Sequence, residues 1–297
     1  MRALLLLLAS LACALPAQAT LTVGIALHPY YSYVTKVAGE HVEVLPLVDE
    51  GFNPHAYQAQ PQDLRRLAKM DAFVVNGVGH DDFAMQVIRA ANRDDLTVIY
   101  ANEEVAVLPA MGAAVGDSAV NAHTFVGINT TIQKVYTISR ALGELDPANA
   151  RAYRKNARAY AATFRAMKQE ALAQIAELDT SGIKVATTHN AYGYLLQEFG
   201  IGVDAVIEPA HGVEPSASQL QDTIDRIKAS GINVLFYELD MPNRFLDTIE
   251  QATGVQLYQF SHLTHGPFEA DKVEREMQAN LNTLVEAIRF AAQAEAL

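Results

Sequence analysis

The sequence predicts an α/β protein of two lobes, each a parallel sheet flanked by helices, joined by one long rigid helix. Three observations lead there. Strand-like apolar runs alternate with helical patterns through residues 20–145, the alternation recurs over residues 181–297, and between them residues 146–180 hold the most continuous helical pattern of the chain. Alternating strands and helices imply a parallel sheet covered on both faces.

The elements follow in order. Met1-Arg2, the apolar run from Ala3 to Ala12 and the ending Ala17-Gln18-Ala19 have the charge, length and small-residue terminus of a secretory signal peptide over residues 1–19, with cleavage after Ala19. The run is too short to span a bilayer, and no later stretch reaches that length. The expectation is an exported, periplasmic protein. Cys13 is the single cysteine and lies inside this leader, so the mature chain has neither disulfide nor thiolate ligand. A lipoprotein would be cut at Cys13, but Ser10-Leu11-Ala12 is a poor lead-in. Losing Arg2 with the leader leaves 34 acidic residues against 21 basic ones, a charge of about −13. No basic patch argues for nucleic acid or an anionic membrane.

In the first lobe the strand-like runs are 21–27, 42–48, 72–76 and 96–100, with helical runs beginning near Pro61 and over 128–145. In the second they are 183–188, 204–207, 232–238 and 255–260. The linking helix is read over 147–178, with Asp146 as its cap, Pro147 in its first turn and Ser181-Gly182 as its stop. Tyr153, Ala157, Tyr160, Phe164, Met167, Ala171, Ile175 and Leu178 recur at helical spacing. Such a helix would extend roughly 45–50 Å, the length of both lobes. A single helix between lobes resists wide hinge closure, so ligand entry should involve small tilts and loop movement.

Four histidines, far apart in sequence, each sit just outside a regular element. His55 follows a proline-fixed turn in Asn53-Pro54-His55-Ala56-Tyr57, and His123 lies in Asn121-Ala122-His123-Thr124-Phe125 ahead of a helix. His189 ends a strand-like run and His262 follows another. Neutral imidazole is the commonest side-chain ligand of borderline metals, so the pattern points to a metal site assembled by folding. Glu238 and Asp240, at a strand end of the second lobe, are the expected carboxylates around it. His28 is placed near the cleft, His80 in a surface loop and His41 in an exposed turn, while His211 and His265 are read as solvated or hydrogen-bonded loop residues. The sequence has no Walker loop, no dinucleotide fingerprint, no G-x-S-x-G elbow and no H-E-x-x-H helix.

At these residues the chain resembles the metal-binding proteins of zinc and manganese ABC importers, over nearly its whole mature length. The resemblance rests on N-P-H-x-Y-x-x-x-P-x-D at 53–63, the loop at His123, T-T-H-N-A-Y-G-Y-L at 187–195 and E-P-S at 214–216. It implies that His55, His123 and His189 are ligands. At the fourth position, where relatives often carry a carboxylate, this chain reads Phe260-Ser261-His262, and the long His- and acid-rich loop of many zinc importers is absent. The implied function is capture of a transition metal, Zn²⁺ first and Mn²⁺ second, by a monomer that delivers it to a membrane permease driven by an ATPase, with or without a metallochaperone to load it. Two other readings stand beside this one. One is a secreted zinc hydrolase with three histidine ligands and Glu238 or Glu208 activating water; the other is a siderophore or haem receptor, which would need a wider cleft.

Overall fold

The computed structural model describes residues 20–52, 57–110, 120–207, 216–238 and 243–295. His55, Glu208, His211 and Asp240 lie outside the described residues. In the first lobe β1 (Leu21–Ile25), β2 (Val42–Pro46), β3 (Ala72–Val75) and β4 (Thr97–Tyr100) form a parallel sheet of order β2-β1-β3-β4. In the second, β5 (Val185–Thr187), β6 (Ala205–Val206), β7 (Val234–Glu238) and β8 (Gln256–Phe260) repeat it as β6-β5-β7-β8. Every pairing is parallel, which requires helices on the faces; the fully buried run Ala72–Val75 reads accordingly as continuous apolar sequence. The two-lobed α/β architecture is therefore as the alternation predicted.

Helices α1 (His28–Ala38), α2 (Pro61–Leu67) and α3 (Asp82–Ala91) cover the first sheet. The start of α2 shows why Gln60-Pro61-Gln62-Asp63 folds as it does. Pro61 suits the first turn, and the Asp63 carboxylate accepts the Gln60 N–H at 2.7 Å and the Tyr57 hydroxyl at 3.0 Å. α4 (Ile128–Leu145) then runs down the first lobe, and α5 (Ala150–Ile175) returns past both.

α5 is the predicted linking helix, but it is shorter at both ends than the sequence reading. The 147–149 segment is a turn, and Asp146 holds it from outside the helix by accepting from Asn149 Nδ2 at 2.7 Å and the Tyr153 hydroxyl at 2.6 Å. The helix stops at Ile175, ahead of Ser181-Gly182, so its 26 residues extend about 39 Å. Its buried stripe is the predicted one: Tyr153, Ala157, Tyr160, Phe164, Ala171 and Ile175.

The second lobe adds α6 (Gly193–Gln197), α7 (Ala217–Ser230), α8 (Asn243–Thr253) and α9 (Lys272–Glu295). Ser216 caps α7 with Gln219 in a capping box. α9 is a second long element: Glu274 accepts from Tyr160 at 2.9 Å and pairs with Lys36 at 2.6 Å, so its beginning lies against α5 and α1. One apolar core runs from the first sheet through α4, α5 and α9 to Phe236 and Phe260 of the second. A smaller one, around Ile227, Leu235 and Ile249, fills the far side of the second sheet. No described helix is long and apolar enough to cross a membrane.

Candidate metal centre

All the chemistry-bearing loops leave the carboxyl ends of parallel strands, where the crevice of an open α/β sheet lies. His80 follows β3, His189 follows β5, Glu238 ends β7 and His262 follows β8. His123 comes ahead of a single 3₁₀ turn, Thr124–Val126, that feeds α4.

From these positions His123, His189 and His262 converge. One ring nitrogen from each lies within 4.8 Å of the others, a donor set of the size that holds one ion. The Nε2 atoms of His123 and His189 are 2.6 Å apart, and the ring centroids of His123 and His262 are 4.8 Å apart. His123 and His262 are buried and His189 is half-buried. Three imidazoles from two lobes therefore meet at one point. His55 lies outside the described residues.

Neighbouring groups set which nitrogen each ring presents. His123 Nδ1 and its backbone N–H both donate to Asn121 Oδ1, at 2.9 and 3.0 Å, which leaves Nε2 to face the cluster. His262 Nδ1 bonds Thr264 Oγ1 at 2.7 Å, and its Nε2 is 3.8 Å from Glu238 Oε1. Glu238 is thus the buried carboxylate beside the cluster, in the place foreseen for it. Such a partner offsets the charge that neutral imidazoles leave on a dication.

Two features were not read from the sequence. His80 is not on a peripheral loop: its ring stands 4.2 Å from that of His123 and 6.2 Å from that of His262. The cause is the backbone of residues 76–81. Gly77, Gly79 and His80 all take positive φ, which curls the loop back over the strand end. Asp81, whose carboxyl is pushed up to about 7 by burial, binds the N–H groups of Asn76 and Gly77. Asn76 Nδ2 donates to Gly79 O at 2.8 Å and to Ala122 O at 3.0 Å, so the loops bearing His80 and His123 share one anchor. Beneath it lies a buried polar layer of Tyr30, Asn102 and Lys134, whose amine burial holds well below its usual range.

The second feature is Tyr194. Its hydroxyl donates to Asn121 O at 2.7 Å and accepts the Leu108 N–H at 2.9 Å, joining the His189 segment to the His123 loop across the lobes. The approach is close: a Cβ on Gly127 would stand 2.8 Å from that of Tyr194. T-T-H-N-A-Y-G-Y-L contained the residue, but nothing in the spacing distinguishes a latch from core packing.

Comparisons with known proteins identify the family. The SBP FpvC of Pseudomonas aeruginosa, in complex with Ni²⁺, superposes with a TM-score of 0.84 at 48% identity, over 91% of this chain and 97% of that one. The same protein in complex with Mn²⁺ gives 0.84 at 49% identity, over 91% and 99%. The manganese-binding lipoprotein MntA of Halalkalibacterium halodurans is 24% identical over 221 residues, 74% of this chain and 72% of its own length. The metal ABC transporter substrate-binding lipoprotein ScbA of Streptococcus cristatus is 22% identical over 264 residues, 86% and 85%. With residues 23–287 matching the model described as zinc-uptake complex component A, periplasmic, the chain belongs to that family of substrate-binding proteins for metal ABC importers and is not an enzyme.

Proposed function

We propose that the protein captures a transition-metal dication between its lobes through His55, His123, His189 and His262 and delivers it, outside the cytoplasm, to the permease and ATPase of an importer. The observation that carries this reading is the convergence of three imidazole nitrogens from two lobes within 4.8 Å. Residues 20–145 and 181–297 act as the two lobes, the 146–180 segment as the brace, and residues 1–19 as a leader cleaved after Ala19, which places the mature protein in the periplasm, where it works as a monomer.

Nitrogen donors favour borderline dications over hard ones, so Zn²⁺ is the first choice and Mn²⁺ the second. His80 supports a further reading. With His55 in the set it supplies a fifth imidazole beside the cluster, more than tetrahedral zinc takes up. An ion of higher coordination number would use it, and Ni²⁺ and Mn²⁺ are the ions named for the two FpvC complexes. Elemental analysis of protein purified without added metal, followed by competition among Zn²⁺, Ni²⁺ and Mn²⁺, separates these. One equivalent of zinc that the other two fail to displace supports the first choice; preferential nickel or manganese retention in wild type, lost in His80→Ala, supports the second.

A further inference from the structure

His28 is the first residue of α1 and is fully buried at the junction of the lobes. Its ring is sandwiched in parallel between Phe268, at 4.2 Å and 12°, and Phe52, at 5.6 Å and 11°. Its Nε2–H donates to the carbonyl of Gly266 at 2.8 Å. Gly266 and Phe268 belong to the loop that begins at Ser261 and carries His262, and Phe52 immediately precedes the Asn53-Pro54-His55 motif. Phe52 also meets Tyr57 and Phe83, which pack on each other at 4.7 Å, so aromatic residues flank that motif on both sides.

Two more bonds run across the same seam. The Phe268 N–H donates to the Glu50 carboxylate at 3.0 Å, and the Ser32 hydroxyl donates to Glu269 O at 2.7 Å. The other end of the loop is fixed from α9, where Asn280 takes the Ser261 N–H at 2.7 Å and donates to Ser261 O at 2.9 Å. His262 therefore sits between an anchor on α9 and an anchor on His28. The turn between them is strained, since Leu263 is buried with φ of 67°. A loop in that conformation persists only while its surroundings over-determine it, and His28 supplies both a stack and a hydrogen bond among them.

We infer that His28 is a positioning residue for metal binding: without ligating the ion, it holds the loop carrying His262 against the segment that leads into the first histidine motif. This rests on the proposed metal site. Stacking fixes the loop sideways, and the bond to Gly266 fixes its height, so the two contributions are separable by substitution. His28→Phe keeps the sandwich and loses the bond; His28→Ala loses both.

The test uses Co²⁺, whose visible absorption reports ligand number and type, with stopped-flow release to excess chelator and a thermal melt at neutral pH. Wild type should bind one equivalent with a histidine-ligated spectrum. His28→Ala should release cobalt at least ~10-fold faster, the scale of lost supporting contacts at metal sites, and alter the spectrum. His28→Phe should keep the spectrum and release at an intermediate rate. Release and spectrum unchanged in His28→Ala, whatever its melting temperature, would overturn the inference while leaving the metal site intact. If His28→Ala does not fold, wild-type release by His28→Phe overturns it equally. A wild type that takes up no cobalt overturns this inference together with the metal reading.

Discussion

The Nε2 atoms of His123 and His189 stand 2.6 Å apart, one from each side of the seam between lobes. Nitrogens that close share one proton or one cation. At 2.6 Å the pair suits a shared proton; a tetrahedral dication bonded at about 2.0–2.1 Å to each would take the proton's place once the nitrogens part to about 3.3 Å. The lobes are held to this arrangement by Tyr194, by the tight approach at Gly127 and by the continuous core along α4, α5 and α9.

Removing a ligand should cost more than removing its support. His123→Ala and His189→Ala should each lower zinc affinity by well over ~100-fold, whereas Asn121→Ala, which frees the His123 ring to turn, should cost about 10–100-fold. Competition with a chromophoric chelator gives all three constants, and an Asn121 variant as tight as wild type would show that its bond does not orient the ring.

Tyr194→Phe leaves the Leu108 N–H and the Asn121 carbonyl without their shared partner. A loss of about 1–3 kcal/mol in unfolding free energy is expected, together with weaker metal binding, because the bond spans the two ligand loops. Denaturant unfolding in chelator, set beside a metal titration, reads both. Gly127→Val should act in the same direction through steric pressure on Tyr194.

His28 makes stability pH-dependent. Burial is the main cause that lowers its pKa from 6.5 to about 4; Lys272 and His265 push the same way and the Gly266 carbonyl opposes them. The unfolded chain therefore binds a proton between pH 6.5 and 4 that the native protein refuses, so stability is lost as pH falls through that window. His28→Phe should flatten this part of the profile relative to wild type, measured as melting temperature in chelator from pH 7.5 to 4.5. Parallel curves for the two proteins would mean that another group sets the slope.

Metal should stabilise the fold by mass action. At a free concentration of about 100 times Kd the gain is ~2.7 kcal/mol, and chelator should remove it reversibly. Scanning calorimetry with and without excess zinc checks this, and an unchanged transition would place zinc on the unfolded chain as strongly as on the native one.

Much of the fold was legible because its signals are local. Apolar runs such as Ala72–Val75 and the stripe from Tyr153 to Ile175 need no tertiary context. The ends of α5 were misplaced because Asp146 and Pro147 look like a cap and a first turn, while Tyr153 draws Asp146 into a bond that starts the helix later. α9 was overlooked although Val273, Met277, Leu281, Leu284 and Ile288 follow helical spacing. His123, His189 and His262 could be grouped from the sequence because each stands just outside a regular element. His80 was missed because its orientation depends on positive φ at Gly77, Gly79 and His80 itself, which spacing does not report.

The most direct test is an equilibrium competition for zinc between a chromophoric chelator and two proteins, wild type and the triple variant His123→Ala/His189→Ala/His262→Ala. One tightly held equivalent in wild type, and none in the triple variant at the same chelator concentration, is the predicted result. A folded triple variant that still holds one equivalent with wild-type affinity would show that these imidazoles do not form the site.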